Sequence, residues 1–210
     1  MQRTRLLLGC GVAGGLLFVV SFLIQGATRS GYDPARNYVS TLALGPGGWV
    51  QVATFIVTAG LIAACAVGLA RGMRPGRGSV WVPRLIGLFA IGTFFAGVFK
   101  GDPDRGYPPG SGAPANGPGD LSWHGVLHIV SAEVMFFSVV AAAVICTIRF
   151  QEEKRPAWTM YSAVSALLIL YVLSSQPAED IRGIVQRIGL VVTFGWIAAL
   201  ALRTRADLRP

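Results

Sequence analysis

The sequence predicts an all-α polytopic membrane bundle of six transmembrane helices with both termini cytoplasmic, and three observations carry that prediction. The chain has 210 residues, 53% hydrophobic and only 13% charged, outside the usual composition of a soluble domain. Its apolar residues gather into blocks of membrane-spanning length. Its basic residues are divided unequally between the two sets of loops that join those blocks.

A span needs about 20 mostly apolar residues, because about 30 Å of hydrocarbon offers unpaired backbone groups no partner. Six blocks qualify: Leu6–Ile24, Trp49–Ala70, Val80–Phe99, Trp123–Ile148, Trp158–Leu173 and Ile184–Leu202. The fifth is short, and Gln186 and Arg187 intrude on the outer turns of the sixth. Leu7-Leu8-Gly9-Cys10 resembles a lipoprotein cleavage site, but too few apolar residues precede Cys10 for a signal-peptide core. Met1–Ile24 therefore reads as a retained first helix. Little chain lies outside the six blocks, so residues 1–210 read as one integral membrane domain.

Charge sets the orientation. With six spans both termini share a side, and that side holds twelve of the eighteen Lys and Arg residues but only three acids. The opposite side holds six basic and six acidic residues, and Glu133 falls inside the fourth block. The Lys/Arg-rich side is expected to be cytoplasmic, which places this multi-pass chain in the cell membrane with the loops after spans one, three and five outside. The net charge of +8 is thereby explained by anionic lipid at the inner face. No basic soluble patch calls for nucleic acid. Cys10, Cys65 and Cys146 are dispersed, with no metal-ligand spacing and no evident disulfide.

The outer loops differ in character. In Gln25–Gly48, Asp33-Pro34 is a good N-cap and first turn, and Tyr38, Val39, Leu42 and Ala43 form a short apolar face before Gly45-Pro46-Gly47-Gly48. This pattern predicts a helix lying in the outer interface. Gly101–Leu121 is crowded with Gly and Pro. Its first half is expected to fold over the bundle mouth and its second half to act as a mobile tether.

The candidate chemistry lies mostly on the fourth span. His124, His128, Ser131, Met135 and Ser138 fall within one stripe of about 80° on a helix turning about 100° per residue, a stripe that should face the bundle interior. Two imidazoles at i and i+4 can reach one zinc, with Asp102 as a third ligand, Asp104 as its substitute and water as the fourth. Alternatively the histidines tie the Pro/Gly-rich loop down through its carbonyls and Asp102, or handle a proton or anion. Glu133 lies near mid-span about 140° around from His128. A carboxylate there costs about 2.5–3.5 kcal/mol on insertion scales, so it is either protonated or paired. Arg187 is its expected partner in an intramembrane ion pair, with Gln51 nearby, and a proton site is the alternative. Ser40 is a weak candidate nucleophile, since no histidine base stands near it in sequence.

Several of these residues recur as an ordered set: Tyr32-Asp33-Pro34, Asn37 with Val39-Ser40-Thr41-Leu42-Ala43, Asp102-Pro103, Gly106-Tyr107-Pro108-Pro109-Gly110, and Trp123-His124-Gly125 through His128. In that order they resemble a domain-of-unknown-function family of six-span prokaryotic membrane proteins, DUF998, over nearly the whole chain. The resemblance implies an integral membrane bundle and brings no agreed activity. A second similarity is to the membrane hydrolases that include alkaline ceramidases and adiponectin-type receptors, which hold zinc with histidines beside Ser and Asp. Ser40, Asp102 and the pair His124/His128 are similar in kind. This chain departs in having six spans rather than seven, its histidine pair on the fourth, and no additional histidine.

Two functions of different class follow. One is a structural or permease-like membrane protein with a polar outer vestibule. The other is a metal-dependent hydrolase of a lipid or headgroup at the outer leaflet. The topology is open to a direct test. Alkaline phosphatase inserted in Gln25–Gly48 is expected to be active and a fluorescent protein fused after Pro210 to fluoresce; the reverse pattern refutes the orientation.

Overall fold

The apolar blocks fold as six α-helices: α1 (Gln2–Thr28), α2 (Gly48–Gly72), α3 (Trp81–Val98), α4 (Trp123–Glu152), α5 (Pro156–Ser174) and α6 (Arg182–Asp207). The structure is a computed structural model, in which residues 1–114, 119–175 and 177–208 are described. Each helix is long and apolar enough to cross a membrane. The chain is a multi-pass membrane protein. Of the Pro/Gly-rich segment expected to act as a tether, residues 115–118 lie outside the described residues.

Prolines are confined to places where a helix tolerates them. Pro156 opens α5 and Pro83 sits in the first turn of α3, where no intrahelical amide bond is lost. Ser122 caps α4 by accepting from the Gly125 amide at 3.2 Å. Consecutive helices pack side by side and α6 returns to α1, closing an up-and-down ring whose thinnest seam lies between α5 and α6. One end of the ring carries the chain termini and the α2–α3 and α4–α5 connections (the terminal end). The other carries the three remaining loops (the loop end).

Phenyl rings fill the middle of the ring. Phe18 of α1 meets Phe55 of α2 at 5.2 Å and Phe194 of α6 at 4.6 Å, and Phe194 meets Phe89 of α3 at 5.6 Å. Trp196 is also buried, donating its indole N–H to Ser162 Oγ at 3.2 Å and so tying α6 to α5. In lipid there is little hydrophobic drive between helices, so close backbone approach must supply the packing. Gly92 shows this: a Cβ there would lie 2.7 Å from the Ser131 carbonyl oxygen and 2.9 Å from the Met135 nitrogen on α4. At the terminal end Arg149 donates to the carbonyls of Arg77 at 2.9 Å and Arg74 at 3.1 Å. It also pairs with Glu153 at 2.8 Å, so a buried charge closes the α2–α3 turn against α4.

The expected interfacial helix is different in place and kind. Asp33 to Asn37 form a turn, with the Asp33 carboxylate accepting from the Ala35 amide at 2.9 Å. A short 3-10 helix then follows at Val39–Ala43. Val39, Leu42 and Ala43 are almost fully buried. The segment packs against α1, α2 and α6 at the loop end of the ring, which hides its apolar face.

Gly92→Leu is expected to destabilise the protein by about 1–3 kcal/mol, the range for overpacking a filled contact. Gly60→Ala, which meets nothing within 4 Å, should leave stability nearly unchanged. Thermal unfolding in detergent compares the two, and equal stability of both variants refutes this account of the α3–α4 contact.

Candidate functional site

The loop end is built from helix ends that would otherwise expose unpaired backbone groups. α3 stops at Val98, leaving its last carbonyls without amide donors. His128, from the second turn of α4, places Nδ1 2.9 Å from the Ala96 oxygen and 2.8 Å from the Phe99 oxygen. Both partners are acceptors, so Nδ1 carries the proton and donates, which leaves Nε2 as the acceptor of the neutral ring. In return, Asp102 follows α3 and caps α4: its carboxylate accepts from the Ser122 amide at 2.8 Å and the Ser122 hydroxyl at 2.6 Å. Gly125 leaves room for that carboxylate, since a methyl group there would collide with Oδ2. Each helix thus holds the end of the other.

This arrangement separates the two histidines. His128 is buried, but His124 is exposed and lies against the Trp123 ring at 3.7 Å. The stripe of His128, Ser131, Met135 and Ser138 does face inward. The expected set His124, His128 and Asp102 is not assembled, and Asp104 does not replace a member of it. Among the described residues no three His, Cys, Asp or Glu side chains are grouped to hold a metal ion.

The intrusive polar residues of α6 pin the first loop. Arg187 Nη1 donates to the carbonyls of Pro34 at 2.6 Å and Asn37 at 3.0 Å, and Nη2 donates to the Tyr32 hydroxyl. Gln186 Oε1 accepts from the Val39 amide at 2.8 Å. The Gly183 amide donates to the Ala35 carbonyl at 2.7 Å. A Cβ on Gly183 would stand 2.6 Å from two carbonyl oxygens of that loop, so only glycine allows the approach. Burial pushes the Tyr32 phenol up to about 12, with Arg187 drawing it partly back. Tyr32 therefore stays a neutral donor to the Asn37 and Tyr38 carbonyls.

Arg187 is consequently not the partner of Glu133, and the expected intramembrane ion pair is absent. The guanidinium turns toward the loop end, where several carbonyls converge. Gln51 is likewise committed elsewhere, accepting from Gln25 Nε2 at 2.7 Å between α2 and α1. Glu133 is exposed and forms no hydrogen bond or ion pair among the described residues.

The second loop does fold over the mouth, held chiefly by Arg105, which the sequence did not single out. Arg105 is almost fully buried, pairs with Asp104, and donates from Nε to Glu179 at 2.5 Å. Glu179 also takes Arg182 at 3.0 Å. Tyr107 is buried edge-on against Tyr32 at 5.2 Å. The Arg105 hydrogen bond holds the Glu179 carboxyl below the ordinary carboxylate range, whereas burial raises that of Asp104 against the pull of Arg105. Arg105 thus ties the second loop to the third, and its guanidinium lies 5.4 Å from the centre of the Tyr38 ring in the first.

Between these caps lies a cleft. Its upper part, about 260 Å³, is walled by Tyr38, Ser40, Asp102, Arg105, His128 and Arg182 among others. Its lower part, about 300 Å³, shares Tyr38, Ser40, His128, Ile129 and Arg182, and descends past Ala132, Glu133 and Phe136 of α4, Val172 and Leu173 of α5, and Val185 and Gln186 of α6. His128 and Glu133 therefore line one cavity despite their angular separation, because the cleft is wide enough to take in Ile129 and Ala132 between them. Ser40 and His128 meet here too, but share no hydrogen bond among the described residues. The serine has no engaged base.

Because the Glu179 carboxyl is held low, its bond to Arg105 stabilises the fold above the ordinary carboxylate range, and that contribution is lost as pH falls through the lowered value. Arg105→Gln is expected to move the Glu179 titration up toward the ordinary range in carboxyl ¹³C NMR; an unchanged titration refutes the assignment.

No curated protein and no solved structure matches the chain. One family model does, over residues 12–203. That match takes in most of the chain, and the chain belongs to the family described as "Protein of unknown function (DUF998)".

Proposed function

We propose that this protein is permease-like, and that its cleft admits an amphipathic molecule from the outer leaflet. The observation that carries this reading is that two adjoining cavities share Tyr38, Ser40, His128, Ile129 and Arg182. The upper adds Asp102, Asp104 and Arg105, the lower adds Glu133 and Gln186 beside Phe136, Val172, Leu173 and Val185, and the lining of both is mainly apolar. A purely aqueous solute gains nothing from the apolar lining, and a pure hydrocarbon gains nothing from the polar groups. A molecule with a polar head and an apolar body matches both, as is usual for small-molecule sites with few, well-placed polar groups. The charge bias assigns the loop end to the outside. The lower cavity borders the α5–α6 seam, the most thinly packed in the ring, which offers a lateral way in for a molecule already dissolved in lipid.

Cysteine accessibility tests this reading in a background with Cys10, Cys65 and Cys146 replaced by Ala. Ser40→Cys and Ile129→Cys are expected to react with an impermeant methanethiosulfonate added outside intact cells, and to be protected by a bound decyl-chain amphiphile. Ile129→Trp, which adds bulk at a residue that lines both cavities, should abolish protection at Ser40→Cys. Absence of labelling from outside, or labelling that no amphiphile protects, refutes the proposal.

A further inference from the structure

We infer that the amphiphile is a cation, an amine or quaternary ammonium whose charged head sits against Glu133; this rests on the cleft being an amphiphile site. The inference follows from the commitments of the charges around the cleft. Asp102 is bound by the Ser122 amide and hydroxyl. Asp104 pairs with Arg105, Arg105 with Glu179, and Arg182 with Glu179. The Nη atoms of Arg182 also reach the Tyr38 hydroxyl and the Pro177 carbonyl, while its buried Nε has no hydrogen-bond partner among the described residues. Both guanidiniums that line the cleft are thus already paired with carboxylates.

Glu133 is the exception. It lines the lower cavity, is exposed, and has no partner among the described residues. It lies ten residues beyond the start of α4, so about 15 Å along the helix at about 1.5 Å per residue. Around it stand Ala132, Phe136, Val172, Leu173 and Val185, with the Gln186 amide and the neutral His128 ring above. A carboxylate at such depth draws a counter-charge, since the apolar surroundings strengthen the attraction and water competes weakly. An anionic head beside Glu133 would meet an unpaired carboxyl, whereas Asp104, Arg105 and Arg182 at the mouth are already matched in charge. α5 contributes no charged group to the cleft. Only the cationic head completes the site.

Decyltrimethylammonium, decyl sulfate and decyl maltoside have one chain length and three head charges, so they separate the possibilities. Calorimetric titration below the micelle concentration into protein-loaded nanodiscs, with empty discs subtracted, is expected to show saturable binding of the ammonium and none of the sulfate. Glu133→Gln should weaken ammonium binding by about 30-fold or more, the loss typical of removing one member of a desolvated charge pair. Glu133→Asp should retain most of it. Both variants should unfold at the wild-type temperature, since Glu133 supports no contact within the chain. If decyl sulfate binds as well as the ammonium, or if Glu133→Gln binds like wild type, the cationic assignment is overturned while the amphiphile cleft stands. If none of the three binds saturably, the cleft reading falls and this inference with it.

Discussion

The loop end is organised by one constraint: a helix that ends within or beside an apolar medium must find partners for its last carbonyls and first amides. α3 ends short, and the His128 imidazole of α4 supplies the donor for its Ala96 and Phe99 carbonyls. α4 begins beside it, and Asp102 supplies the acceptor for its first turn. α6 opens by donating the Gly183 and Ile184 amides to Ala35, and its Arg187 gathers further carbonyls of the same loop. Each of these bonds is ordinary. Together they decide where the three loops can lie, and hence what the cleft looks like.

That constraint also sorts the polar residues into those consumed by architecture and those left over. Arg187, Gln186, Asp102 and the Nδ1 side of His128 are consumed, each satisfying backbone groups that lipid would leave bare. The interlocked Asp104, Arg105, Glu179 and Arg182 hold the cover in place by charge-assisted bonds. Left over among the described groups that line the cleft are the Ser40 hydroxyl, the Nε2 side of His128, the Arg182 Nε and the Glu133 carboxyl.

Much of this was legible in the sequence. Block length and hydropathy place all six helices, because in lipid the backbone has no alternative to pairing within its own segment. Helical period alone gives the inward stripe from His128 to Ser138, but it also puts on that stripe His124, which is exposed. The family is legible as well, since its ordered fragments run through the loops as well as the spans. Other features were not legible. Gln186 and Arg187 look like defects in a span, yet their role depends on a loop some 150 positions earlier in the chain. Arg105 sits among glycines and prolines with nothing local to mark it as buried. Val39–Ala43 reads as an interfacial helix because its apolar face is visible in sequence, whereas its packing against α1, α2 and α6 is not.

The sequence by itself determined the medium, the number of crossings and the side chains that must avoid lipid, since these depend on composition and on the period of a single helix. Tertiary structure decided which histidine is buried, which arginine is consumed, and whether Glu133 is paired. Those outcomes turn on where α3 stops relative to α4 and on which carbonyls converge near Arg187. Such distances between segments are set by packing, and no local pattern in the chain encodes them.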